Sequence, residues 1–109
     1  MLAQELVRLR RRLIGASLSM LAAVAVSAEA GDIVNGRQVY QKHCAMCHGP
    51  TGVGVMPGAP NFARSERLFQ PDATLVGTLR NGRNAMPPFV GVLTDRELFD
   101  VVAYLRTLR

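Results

Sequence analysis

Cys44-Ala45-Met46-Cys47-His48 gathers both cysteines of this 109-residue chain and one of its two histidines into five consecutive positions. Two thiols three positions apart, followed at once by an imidazole, make the Cys-x-x-Cys-His pattern of covalent haem attachment. The spacing suits that chemistry, because two thiols can add to the two vinyl groups as thioethers while the next imidazole is delivered to the iron on one face. Rival uses of the same residues fare worse. A dithiol redox motif wants a preceding strand and a βαβ setting, and no segment here alternates convincingly as a strand does. A zinc site needs four ligands, and only His43, crowded against Cys44, adds to the pentapeptide.

The first thirty residues read as an export signal. Arg8, Arg10, Arg11 and Arg12 form a basic start, Leu13 to Val26 runs apolar apart from Gly15, Ser17 and Ser19, and Ala28-Glu29-Ala30 has the small-x-small form of a cleavage site. An uncleaved anchor is the competing reading, but an apolar run of 14 residues falls short of the roughly 20 that span a bilayer. The expected division is therefore 1–30 as a signal peptide cleaved after Ala30 and 31–109 as the folded domain, with a periplasmic destination and no stable membrane insertion. The pair Arg11-Arg12 is weak evidence for twin-arginine export, so general secretion is the default.

The remaining 79 residues carry nine basic and six acidic side chains, a net charge of +3, and 15 of them are Gly or Pro. A chain this short and loop-rich has little core of its own and needs a staple, which a covalent cofactor supplies. A six-coordinate haem also needs a sixth ligand, and Met thioether opposite His raises the potential. Met46 lies inside the attachment ring, which leaves Met56 and Met86. Met86 is favoured because Pro87 and Pro88 fix the backbone after it, an Asn81-Gly82 turn closes the segment before it, and its 38-residue separation from His48 is ample to wrap round the haem. His43 is read as a partly exposed neighbour of Cys44.

Helical patterning comes next. Residues 32–44 can form a helix with Ile33, Gly36, Val39 and Tyr40 on one face, Gly36 allowing another helix to come close. A second helix spans 72–81 after Pro71, presents Leu75, Val76 and Leu79, and stops at Gly82. A third starts at Thr94, whose partner Glu97 makes a capping box, and carries the stripe Leu98, Val101, Val102 and Leu105. The run from Gly49 to Gly54 is too glycine-rich for a helix and is read as a haem-wrapping loop.

Cys44 to His48, then Gly58-Ala59-Pro60-Asn61-Phe62, Ala85-Met86-Pro87-Pro88-Phe89 and Val101-Val102-Ala103-Tyr104-Leu105, resemble the class I monohaem cytochromes c over essentially all of residues 31–109. The likeness is strongest to the small bacterial periplasmic electron carriers. It implies an all-α, small cytochrome c fold: three main helices and loops wrapped around one covalently attached haem c, the N- and C-terminal helices crossing at Gly36 and Tyr40 against Val101 and Tyr104. It also implies that Cys44 and Cys47 carry the haem, that His48 and Met86 ligate iron, and that the Pro60 carbonyl accepts from the other nitrogen of His48. Some members place a polar side chain three residues after the Met; this chain has Phe89 there.

Closed His/Met ligation points to a one-electron carrier rather than an enzyme, since no Asp or Glu stands near the ligand segments to act as a distal acid or base. Phe62, Leu75, Leu79, Phe89 and Leu93 are expected to wall an apolar pocket. Val53, Val55, Met56, Pro87 and Phe89 are expected to form a docking patch, with Arg64, Arg67, Arg80 and Arg83 steering acidic partners. The expected partners are redox donors and acceptors of a respiratory chain, met by a monomer. A dedicated subunit or accessory donor of one respiratory enzyme, such as a dehydrogenase or nitrite reductase, is the alternative, and a ligand-binding or peroxidatic haem protein a third. Scattered arginines without interleaved aromatics argue against nucleic acid.

Overall fold

The structure, a computed structural model, describes residues 1–15 and 30–109. Most of the apolar stretch of the expected export signal, and Ala28 and Glu29 of its cleavage motif, lie outside the described residues. Helix α1 (Leu2–Gly15) covers the basic start, an element not expected from the sequence. Among the described residues no helix is long and apolar enough to cross a membrane.

The three expected helices are present, as α2 (Ile33–His43), α4 (Asp72–Asn81) and α5 (Asp95–Leu105). Helix α2 is one residue shorter at each end than the span 32–44, because Asp32 and Cys44 become its caps. The Asp32 carboxylate accepts from the backbone N–H groups of Val34 at 2.9 Å and Asn35 at 3.1 Å, satisfying donors that a helix start leaves free. The backbone breaks at Cys44 and then resumes as the short helix α3 (Ala45–His48), so the attachment segment is itself helical. A 3₁₀ turn (Phe62–Arg64) is a further addition to the expected set. No strand occurs among the described residues, and residues 49–54 form the expected loop.

Helices α2 and α5 cross where Gly36 lets the backbones meet. A Cβ on Gly36 would lie 2.0 Å from the carbonyl oxygen of Asp100 and 3.0 Å from the Tyr104 Cβ. Beside that contact the rings of Tyr40 and Tyr104 pack at a centroid distance of 5.3 Å, and Val101 and Val102 are buried. Ile33, expected on the same face, is half exposed, since the polar first turn of α2 faces α5 through a carboxylate instead. That carboxylate is Asp100. It is fully buried and accepts from the Asp32 backbone N–H at 2.7 Å and the Asn35 side chain at 2.8 Å, with Arg96 at 3.2 Å. These partners offset the cost of taking the charge out of water.

Helix α5 starts as the sequence expects. The Thr94 hydroxyl accepts from the Glu97 N–H at 3.2 Å, and the Glu97 carboxylate accepts from the Thr94 N–H at 2.8 Å. Its buried stripe is Leu98, Val101, Val102 and Leu105. Helix α4 buries Leu75 and Val76, packs Leu79 against the core and ends at Gly82, whose φ is 75°.

Replacing Gly36 by Ala should separate α2 from α5 and cost roughly 3 kcal/mol in denaturant unfolding of the holoprotein, the upper range for overpacking; an unchanged midpoint would contradict the close crossing. Thr94→Ala should cost about 1 kcal/mol. The hydrogen bonds from the Thr94 N–H and hydroxyl hold the Glu97 carboxyl below its ordinary value. The capping contribution is therefore present above the unfolded carboxyl value and lost as pH falls through the folded one, so the stability gap between wild type and Thr94→Ala should narrow on titration from neutral to acidic pH.

Candidate haem site

A cavity of about 300 Å³ opens between α2, α3, α4, α5 and the loops, and Cys44, Cys47, His48, Pro60 and Met86 all line it. The helix crossing explains how they meet. Helix α2 runs directly into the attachment segment, while Val101 and Leu105 of α5 and Leu75 and Leu79 of α4 supply apolar wall. Phe62 and Phe89 complete it as expected. Leu93 does not: it is buried in the core behind the cavity, drawn there by the turn in which its N–H bonds to the Phe89 carbonyl at 2.9 Å.

His48 stands on the last position of α3 with its ring stacked on Phe62, centroids 4.8 Å apart and planes 22° from parallel. Burial holds its pKa below the ordinary value, which favours the neutral ring that can ligate a metal. Its Nδ1 is buried without a hydrogen-bond partner. The bond expected to the Pro60 carbonyl is therefore not made here, although both residues line the same cavity.

Cys44 has its thiol pushed up to about 11, first by burial and then by Cys47. That is the opposite of the depressed value that makes a dithiol motif reactive in redox exchange. Among the described residues no group of three or more His, Cys, Asp or Glu is arranged to hold a metal ion by itself.

Met86 is presented by a tight turn. The Arg83 N–H bonds to the Met86 carbonyl at 3.0 Å, the Met86 N–H bonds back to Arg83 at 2.9 Å, and Asn84 between them takes a left-handed φ of 51°. The turn thus falls at Arg83–Met86 rather than at Asn81-Gly82. Gly82 is instead the end of α4, where a Cβ would lie 2.7 Å from the Pro88 nitrogen. After the prolines, the Phe89 and Val90 N–H groups bond to the Leu79 and Arg80 carbonyls at 3.0 and 3.2 Å, tying the loop back to α4. Met46 is 89% exposed and does not line the cavity, whereas Met56, 42% exposed, does.

Several surface expectations need correction. Phe89 is buried, edge-on to His43, because the hydrogen bonds to α4 pull it inward, so it is not part of a docking patch. Val53, Val55, Met56 and Pro87 are exposed. Arg80 is held by Asp95 at 2.7 Å and is not the free steering charge expected. His43 is partly exposed beside Cys44, as expected, and also lines the cavity.

The residues present fit a covalently bound haem. Among the described residues the cavity is walled mostly by apolar side chains and contains two thiols, two imidazoles, one with an orphaned nitrogen, and two thioethers, but no carboxylate. Arg67 and Arg83 also line it, cations suited to the acidic edge of such a group.

One contributor is invisible to motif reading. The buried Tyr40 hydroxyl donates to the Gly49 carbonyl at 2.7 Å, fastening the residue after His48 to α2. Patterning places Tyr40 on the helix contact but says nothing of its hydroxyl. Tyr40→Phe should cost about 1–3 kcal/mol by leaving that acceptor unpaired. Burial, and then the charges of Cys44 and Tyr104, push the Tyr40 pKa from 10.0 up to about 12. The raised value contributes stability below the unfolded value that is lost as pH rises from 10 towards 12, so the alkaline decline of the wild type should be steeper than that of Tyr40→Phe.

Comparison with known proteins places the chain in a family. The family described as "Cytochrome C oxidase, cbb3-type, subunit III" matches residues 31–105. Cytochrome c6 of Thermosynechococcus vestitus is 34% identical over 93 residues, covering 82% of this chain and 81% of the relative. The cbb3-type oxidase subunit CcoP of Azospirillum is 36% identical over 90 residues, which are 75% of this chain but only 30% of that protein. The solved structure of cytochrome c6 from the diatom Phaeodactylum tricornutum superposes with a TM-score of 0.57 at 30% identity, covering 71% of this chain and 93% of the other. With its all-α fold and a Cys-x-x-Cys-His segment set in an apolar cavity, the chain belongs to the small monohaem class I c-type cytochromes, electron carriers that hold their haem covalently.

Proposed function

We propose that the chain is a periplasmic one-electron carrier of a respiratory chain, cleaved after Ala30, in which Cys44 and Cys47 bear the haem and His48 and Met86 are its axial ligands. The observation that carries this reading is the meeting of those four side chains on one apolar cavity. When bound, the haem supplies an iron that exchanges a single electron between its ferrous and ferric states. The chain's own part is to hold that iron closed and dry. Phe62 stacks on His48 and limits its rotation, and the paired hydrogen bonds of Arg83 and Met86 keep the thioether in a fixed loop. Apolar walls from Leu75, Leu79, Phe89, Val101 and Leu105 exclude water and disfavour net positive charge, which favours the reduced state. In the ligated form the Pro60 carbonyl accepts from His48 Nδ1, giving the buried nitrogen the partner it lacks here.

A second reading has a specific observation behind it. The matching family is described as an oxidase subunit, and CcoP is among the relatives, which favours a dedicated donor of one cbb3-type oxidase over a carrier that circulates among several partners. A protein that migrates as a free monomer and reduces unrelated acceptors equally well would count against dedication.

Ligation is tested by optical spectra and redox titration of the exported holoprotein. Wild type and Met56→Ala should show the red charge-transfer band of Met sulfur on ferric iron; Met86→Ala should lose it and titrate at a lower potential. Retention of the band in Met86→Ala would refute the assignment. A mass equal to residues 31–109 plus one haem would establish cleavage and stoichiometry.

A further inference from the structure

Residues 65–71 run from the 3₁₀ turn to α4 as a strap along one side of the haem cavity, which Arg67, Leu68 and Gln70 line. The strap contains no glycine, yet Ser65 and Arg67 take left-handed φ values of 60° and 61°. Non-glycine residues keep that conformation where their surroundings impose it. The strap's own hydrogen bonds are local: the Leu68 N–H donates to the Ser65 carbonyl at 3.1 Å, and the Gln70 side chain donates to the Arg67 carbonyl at 2.6 Å. Such bonds make it a compact unit without fastening it to the rest of the fold.

The fastening comes from the end of α5. The Arg106 guanidinium donates to the Leu68 carbonyl at 2.7 Å, to the Gln70 carbonyl at 2.7 Å and, through Nε, to the Asp72 carboxylate at 3.0 Å. These acceptors stand 34 to 38 residues earlier in the chain. A planar fork of five donors can hold several acceptors at once in one geometry, which the compact ammonium of lysine does not reproduce. Leu68, between the two ends of this grip, is buried in the core.

We propose that Arg106 is a clasp that keeps the strap seated against the haem, so that water stays away from the iron and the reduced state is favoured. The proposal rests on the haem reading of the cavity and adds a positioning residue to it: Arg106 acts through the strap rather than from the cavity wall. A loosened strap admits water, which stabilises the more highly charged ferric state, and the potential falls.

The test uses holoprotein of wild type, Arg106→Lys and Asp72→Ala, with the potential read by optical redox titration and the strap read by amide hydrogen exchange at Leu68. Arg106→Lys keeps the charge and loses the fork. It should lower the potential and speed exchange at Leu68 roughly tenfold, the size of one hydrogen bond to a charged group. Asp72→Ala removes a negative charge, which by charge alone would raise the potential; by freeing Arg106 it should lower it instead. An unchanged potential in Arg106→Lys, with or without faster exchange, would overturn the proposal by leaving Arg106 a plain structural tie. A raised potential in Asp72→Ala, or a lowered one in either variant without faster exchange at Leu68, would overturn it too. Should Arg106→Lys fail to fold with its haem, Asp72→Ala carries the same two readings. Absence of the Met86 band from wild type would sink the ligation assignment and leave the exchange result standing, so the two fail separately.

Discussion

The backbone contact at Gly36 sets the position of the attachment side of the haem site. With no side chain there, the Asp100 carbonyl can sit where a Cβ would be, and α2 and α5 cross at a distance that larger residues forbid. Because α2 leads straight into Cys44 and α3, that crossing also places the thiols and His48 against Val101 and Leu105 of α5. The buried Asp100 stiffens the same junction from the polar side, drawing the first turn of α2 to α5 through Asp32 and Asn35. Packing and hydrogen bonding therefore act on one hinge point, and the geometry of attachment follows from it.

The opposite wall is built by a different device. Helix α4 ends at Gly82, turns tightly through Asn84 and returns along its own last carbonyls, so Met86 is held between two sets of backbone hydrogen bonds. A thioether is a weak ligand, and a loop that cannot wander reduces the entropy lost when it binds. The small domain thus spends its few hydrogen-bonded loops on the two sides of one cavity. The rest of its core is a modest cluster whose natural completion is the haem itself.

Much of this was legible in the residues, and the reasons are local. Cys44 to His48 is a covalent signature whose spacing is chemistry, and Thr94 with Glu97, Gly82 after residues 72–81, and the stripe from Leu98 to Leu105 are one-helix patterns that tertiary contacts did not need to override. What escaped notice depends on partners far apart in the chain. Nothing near Arg106 shows that it will clamp the carbonyls of Leu68 and Gln70, more than thirty residues earlier. Asp100 reads as one more surface acid until Asp32 and Asn35 arrive beside it. Phe89 belongs to the cavity wall but not also to a docking patch, and Arg80 is not a free steering charge, because a loop tied back onto α4 and a pairing with Asp95 are tertiary facts. Sequence periodicity reports which face of an element is apolar; it does not report which polar atom finds a distant acceptor.

In the proposed arrangement Cys44 and Cys47 hold one haem through its vinyl carbons while His48 and Met86 ligate its iron. X-ray absorption at the iron edge of the ferric holoprotein, taken for wild type and for Met56→Ala, reads the ligand set directly. The account requires one sulfur and five nitrogens in both proteins. An all-nitrogen shell in the wild type, or loss of the sulfur when Met56 alone is replaced, would contradict it.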